Sequence, residues 1–154
     1  MTSIKVASTF VLIACMTILV HAQEKKIKRS DLPPGVEKTV AEQSKGATIK
    51  GFSTEVEDGK TLYEVEMTVN GHGKDISMDN KGNIVEIEEE VPLASLSTAV
   101  KDGLTKAAGK GTITKVESLT KNGKVVAYEA AVKTGTKKSE VQVGPDGKKL
   151  AHPE

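Results

Sequence analysis

Two stretches of this 154-residue chain carry an apolar residue at every fourth position, which predicts a helix with one apolar stripe in each. The stripe residues are Leu32, Val36 and Val40 in the first stretch and Leu96, Val100 and Leu104 in the second. Asp31 and Ser95 come just before the stripes, and both residue types are common helix N-caps. Gly46 and Gly109 follow the stripes, and glycine often ends a helix. The pattern therefore predicts two short helices that each lie against another element.

A strand-like segment follows each predicted helix. Residues 48–56 and 112–120 are rich in Thr, Ile and Val, which favour strands. Because Ile49 and Phe52 are three residues apart rather than two, as are Ile113 and Val116, strict alternation fails and a β-bulge is predicted in each segment. Tight hairpin turns are predicted at Asp58-Gly59 and Asn122-Gly123.

The later strands alternate strictly, which is typical of a sheet with one buried and one solvated face. Residues predicted to be buried are Tyr63, Val65, Met67 and Val69, with Val126, Tyr128, Ala130 and Val132 as their counterparts. A third strand is predicted from Ile76 and Met78, matched by Val141 and Val143, and a fourth from Val85 and Ile87, matched by Leu150 and His152. Each predicted helix thus precedes four antiparallel strands.

The two halves of the chain match each other. Residues 32–88 align with 96–154 at an offset of 64, which becomes 65 after a one-residue insertion. This period is too long for a solenoid repeat and is typical of a small domain. We therefore predict an α+β fold of two tandem units, each with one helix packed on a four-stranded antiparallel sheet. Because a unit of about 60 residues buries only a marginal core, the two units are expected to pack together.

The predicted boundaries are a signal peptide at 1–22, a basic flexible tail at 23–30, an acidic unit at 31–90 and a basic unit at 91–154. Lys5 precedes an uncharged apolar run at 6–20, too short to span a bilayer, and small residues lead up to cleavage after Ala22. This predicts a periplasmic or secreted protein. Leu12-Ile13-Ala14-Cys15 leaves a second route open, in which Cys15 is lipidated and anchors the protein to the membrane.

Composition excludes several classes of function. Cys15 is the only cysteine, so a chain cleaved after Ala22 has no disulfide, thiol nucleophile or thiolate metal site. Segment 30–90 has a net charge of −8 and segment 91–154 a net charge of +5. The two segments either attract each other, within or between chains, or are soluble surfaces that have diverged. No basic stretch is interleaved with aromatic residues, so nucleic acid is not an expected partner.

The solvated face of the first half supplies the candidate partner-binding residues. They are Glu64, Glu66, Asp75, Ser77, Glu86 and Glu88. Because this face is acidic, binding of a small ligand or a divalent cation is the alternative to binding a protein.

No catalytic, cofactor or metal-ligand set is predicted. His72 falls at a predicted hairpin tip and His152 near the last predicted strand, and neither has a nucleophile nearby in sequence. Segment 79–83 lacks the ligand spacing of an EF-hand and is predicted to be a turn.

The order of these features resembles the PepSY-like, β-lactamase-inhibitor-like family of exported bacterial proteins. Each half of 31–153 has a capped helix, an Ile-x-x-Phe/Val strand, an Asp/Asn-Gly-Lys hairpin, a Tyr-Glu strand and a late turn with glycine, and the first helix begins with Leu32-Pro33. The resemblance implies an exported, non-enzymatic module, because the family pattern has no catalytic residue to carry over. It also implies an extracytoplasmic protein partner, such as a hydrolase or a peptidase, engaged through the sheet faces or the groove between the units.

Overall fold

Antiparallel strands joined in chain order build the fold. The computed structural model describes residues 24–57 and 59–154, so the predicted signal peptide, Cys15 and Asp58 lie outside the described residues. Two α-helices are present there, α1 (Pro34–Gln43) and α2 (Thr98–Ala108). The strands are β1 (Lys25–Lys26), β2 (Thr48–Glu57), β3 (Lys60–Val69), β4 (His72–Met78), β5 (Ile84–Glu90), β6 (Thr112–Lys121), β7 (Lys124–Thr134) and β8 (Lys137–Val143). Within the described ranges, no helix is long and apolar enough to cross a membrane.

All eight strands belong to one antiparallel sheet, in the order β1 to β8. The two halves of the chain join where β5 pairs with β6, from Glu86 opposite Lys121 to Glu90 opposite Glu117. The ladder therefore runs through the middle of the molecule without a break.

The predicted fold class, two units with one helix on a four-stranded sheet each, is wrong. Separate four-stranded sheets would leave the edges of β5 and β6 with unpaired N–H and C=O groups, whereas their pairing satisfies both edges. The fourth strand predicted at Leu150 and His152 is also absent, since only an isolated bridge between Val143 and Lys149 follows β8. The bridge at Lys149 is the last sheet contact, and Pro153 further along lacks the N–H that a ladder requires. The eighth strand is β1, at the opposite edge.

Both helices begin later than predicted, because the predicted caps Asp31 and Ser95 end short 3₁₀ turns instead. Pro33, which precedes another proline, is extended at ψ 149°, so α1 starts at Pro34 without a side-chain cap. In α2 the Ser97 hydroxyl accepts a hydrogen bond from the Val100 N–H at 3.3 Å. Ser97 is therefore the N-cap.

The predicted helix stripes form the core, and this prediction is confirmed. Val36 and Val40 of α1 are fully buried, as is Leu104 of α2. Helix α1 packs on Val65, Met67, Ile76 and Met78, and α2 packs on Val116, Ala130, Val132 and Val143. Each of the Val, Leu, Ile and Met side chains among them contributes about 1.5–3 kcal/mol when fully buried. Ile87 packs beside the core residues under α1 and pairs with Thr120 of β6. Thr120 points to the same side of the sheet as Val116, which packs under α2. Both helices therefore cover the same side of the sheet.

The predicted bulges are confirmed. The register of β2 against β3 shifts between Ile49 and Gly51, and that of β6 against β7 shifts between Ile113 and Lys115. The extra residue turns both Ile49 and Phe52 toward the helix side, where they pack on the core.

A close approach between each helix and a turn positions the helices on the sheet. A Cβ on Gly35 in α1 would collide with the carbonyl of Lys81, in the turn between β4 and β5. The hydroxyl of Thr39 donates to the carbonyl of Gly82 in the same turn at 2.8 Å. In α2, a Cβ on Gly103 would likewise collide with the carbonyl of Gly147. Neither helical glycine was singled out from the sequence.

Substituting Gly35 tests this close approach. Alanine is the better helix former by about 1 kcal/mol, but Gly35→Ala is expected to destabilise the protein by about 1–3 kcal/mol, because helix and turn must separate. Chemical denaturation measures the change. Gly51→Ala is the control, since its Cβ would meet only the flexible Glu66 carboxylate at 3.8 Å. Equal or greater stability of Gly35→Ala would show that the contact is loose.

Candidate functional site

The sheet face opposite the two helices, called the open face below, carries all six predicted partner-binding residues. They form two adjacent cross-strand rows, one of Glu64, Ser77 and Glu86 and one of Glu66, Asp75 and Glu88. Side chains directly opposite each other in such rows are about 4.5–5.5 Å apart at Cβ. The structure therefore brings these residues together on one surface.

The open face extends into the second half of the chain, where no partner-binding residue was predicted. A third row runs from Glu90 through Glu117 and Glu129 to Gln142, with Gln142 Nε2 donating to Glu129 Oε2 at 2.7 Å. The same alternation signal identifies these residues, since Glu129 follows the buried-face residue Tyr128. They were missed because the second half, taken as a whole, is basic.

Three carboxylates from neighbouring strands converge in the centre of the open face. Asp75, Glu88 and Glu117, on β4, β5 and β6, place ligand oxygens within 4.8 Å of one another. Glu117 is only 5% exposed, and Lys115 Nζ lies 2.8 Å from its Oε2. Asp75 Oδ1 is buried with no hydrogen-bond partner among the described residues. One lysine therefore faces three acidic groups at this point.

The crowding shifts the protonation of the face. Burial, followed by the charge of Glu117, raises the pKa of Asp75 to about 6. Burial, followed by the charge of Asp75, raises the pKa of Glu64 to about 7. For Glu88, burial and then the hydrogen bond and charge of Glu86 raise the pKa well above its ordinary range. The face carries charge that it stabilises poorly, so an added cation or proton relieves it.

A depression of about 500 Å³ lies at one end of the open face. Nine carboxylate residues line it, and none of its described lining residues is Lys or Arg. Leu62 and Val85 give it an apolar portion. The carboxylate residues are Glu24, Glu55, Glu57, Glu64, Glu86, Glu88, Glu129, Glu140 and Glu154. We call this the acidic depression.

A second depression, of about 800 Å³, lies over β6 to β8 and is called the mixed depression. Its charged lining residues are Lys115, Lys133, Lys137 and Lys138 with Glu117, Glu129 and Glu140. Four lysines nearly balance three glutamates there. The open face therefore presents an acidic end and an almost neutral end.

The candidate catalytic or metal-binding groups elsewhere are exposed or already engaged. His72, at the start of β4, and His152 are both exposed. The Asp79 carboxylate accepts hydrogen bonds from the N–H groups of Lys81 and Asn83 and from the Asn83 amide, all at 2.8–2.9 Å. These bonds confirm the prediction that 79–83 is a turn.

Solved structures share this fold. A DUF2874 family protein from Bacteroides ovatus matches with a TM-score of 0.58 and 21% identity, over 78% of this chain and 86% of that chain. A candidate periplasmic protein from Bacteroides eggerthii matches with a TM-score of 0.61 and 15% identity, over 77% and 86%. A BLIP-like protein from Bacteroides fragilis matches with a TM-score of 0.55 and 19% identity, over 77% and 83%. No family model and no curated protein matches the chain.

The architecture is therefore that of BLIP-like (β-lactamase-inhibitor-like) proteins, which supports this part of the predicted resemblance at the level of the fold. The PepSY-like assignment and the tandem repetition stay predictions.

The raised pKa values give stability a definite pH dependence. Folded Asp75 and Glu64 have pKa values of about 6 and 7, above the unfolded values of about 4, so the folded protein binds more protons between these limits. Stability must then fall as pH rises. We expect the melting temperature at low salt to decrease from about pH 5 to pH 8. Calorimetry of the wild type, Glu64→Gln and Asp75→Asn tests this, since each substitution should flatten the decrease; a flat or rising wild-type profile contradicts it.

Proposed function

We propose that this chain is an exported, non-enzymatic binding protein that engages an extracytoplasmic protein partner through its open face. The observation that carries the proposal is an eight-stranded sheet whose two helices cover one side only. The protein acts in the periplasm or as a secreted protein, with lipid anchoring through Cys15 as the alternative. A solved neighbour described as a candidate periplasmic protein supports this location.

Charge on the open face favours a basic partner surface. The acidic depression and the carboxylates of Asp75, Glu88 and Glu117 form one connected region, since Glu88 belongs to both. A Lys or Arg from a partner would relieve the repulsion between carboxylates in the free protein. Because these carboxylates are already partly buried, binding removes less water from them than from fully exposed groups. A hydrolase or a peptidase with a basic patch beside its active site fits this description.

The side chains of the open face favour moderate affinity. Tight interfaces usually depend on Trp, Tyr and Arg anchors. Tyr63 and Tyr128 instead pack on the helix side, and the chain has no Trp. Binding should therefore depend mainly on electrostatic attraction, and the association rate should fall as salt rises.

Charge reversal on the open face tests the proposal. The wild type is used to capture proteins from the envelope fraction, and a recurrent partner is purified and titrated. Glu66→Lys with Glu140→Lys, both exposed on the open face, is expected to weaken binding at least about tenfold, through like-charge repulsion. Glu42→Lys with Asp102→Lys makes the same charge change on exposed helix positions and should leave binding unchanged. Equal loss in both variants, or no recurrent partner, contradicts the proposal.

A second candidate function is binding of a divalent cation. It is favoured by the convergence of Asp75, Glu88 and Glu117 and by the unpartnered Asp75 Oδ1. Carboxylate oxygens are the ligands that Ca²⁺ prefers. The raised pKa values of Asp75 and Glu88 favour bound protons on these carboxyl groups, and the ion would take the place of those protons.

Calcium titration distinguishes this candidate. If the site binds Ca²⁺, the melting temperature rises at millimolar calcium, because a ligand that binds only the folded state stabilises it. The rise should disappear in Asp75→Asn and persist in Glu42→Gln, which lies on α1. No shift in the wild type removes the candidate.

A further inference from the structure

Pro153 and Glu154, at the end of the sequence, lie on the open face. Glu154 N–H donates to Gln142 Oε1 at 2.9 Å, and Glu154 Oε2 lies 3.5 Å from Lys121 Nζ. Gln142 belongs to β8 and Lys121 to β6, with β7 between them. Strands are about 4.8 Å apart, so β6 and β8 are roughly 10 Å apart, and Glu154 contacts a side chain from each of these strands on either side of β7.

This segment separates the two depressions of the open face. Pro153 lines the mixed depression, and Glu154 lines the acidic depression. Glu129, beneath them on β7, lines both. A partner that covers both depressions at once therefore needs the place that Pro153 and Glu154 occupy.

The segment is weakly held. Residues 151–154 are exposed, and the isolated bridge at Lys149 is the last sheet contact before them. Lys121 also pairs with Glu86 at 3.0 Å, shorter than its 3.5 Å contact with Glu154. When the segment leaves, Lys121 keeps a partner and only one polar backbone contact, at Gln142, is lost. Displacement therefore leaves no buried charge unpaired.

We propose that residues 150–154 form a strap that covers the open face between β6 and β8, and that docking of a protein partner requires its displacement. This inference rests on the proposed function of the open face. When the strap is displaced, the Glu154 carboxylate leaves the acidic depression and Glu129 on β7 becomes exposed.

Backbone order parameters measured by NMR test whether the strap is held. In the wild type, the amides of Ala151, His152 and Glu154 should have higher order parameters than in Gln142→Ala with Lys121→Met, in which they should fall below about 0.6. Asp146→Asn is the control, because it removes only the exposed pair between Asp146 and Lys148 in the preceding turn. Low values in the wild type, or unchanged values in the double variant, overturn the proposal.

Carboxylate labelling tests whether the strap covers the face. The probe is a carbodiimide with glycine ethyl ester, and mass spectrometry reads each site. Deletion of residues 151–154 should raise labelling of Glu129 several-fold and leave that of Glu42 on α1 unchanged. Equal labelling of Glu129 in both proteins contradicts a strap over this site. Neither measurement uses a partner protein, so failed capture from the envelope counts against the proposed function alone.

Discussion

The pairing of β5 with β6 is the interaction on which the rest of the structure depends. It joins two groups of strands into one sheet and aligns Glu88 with Leu119 and Glu90 with Glu117 across the junction. Because side chains alternate across a sheet, this register places both helices on one side and the carboxylates of both halves on the other. A shift of one residue would send Glu117 into the core of the helix side.

The open face gathers carboxylates that the fold stabilises poorly. Burying several carboxylates together disfavours their charged forms, and the pKa values of Glu64 and Asp75 rise accordingly. Stability alone would favour neutral side chains at these positions. The proposed docking of a basic partner is consistent with the arrangement, since such a partner would supply positive charge beside these carboxylates.

Local features of the fold could be predicted from the sequence, because local chemistry determines them. The helix stripe at Val36 and Val40 is buried, and Asn122-Gly123 forms its hairpin with φ values of 52° and 72°. The spacing of Ile49 and Phe52 also predicted a bulge that is present.

Features that depend on distant contacts could not be predicted. The β5–β6 pairing joins strands separated by α2, and no local signal states which edges meet. The acidic residues of the second half were hidden by its net positive charge, although the alternation around Glu117 and Glu129 places them on the open face. The strand predicted at Leu150 and His152 rested on one apolar residue and one histidine, which is too weak a pattern to indicate a strand.

The central claim is that a protein partner docks on the open face, and chemical-shift mapping tests it most directly. A partner purified from the envelope is titrated into the ¹⁵N-labelled protein, and the perturbed amides are placed on the structure. The account predicts that they cluster on β3 to β8 around Glu66, Asp75, Glu88 and Glu129, with α1 and α2 unaffected. Perturbations confined to the two helices or to the edge of β8 would contradict it.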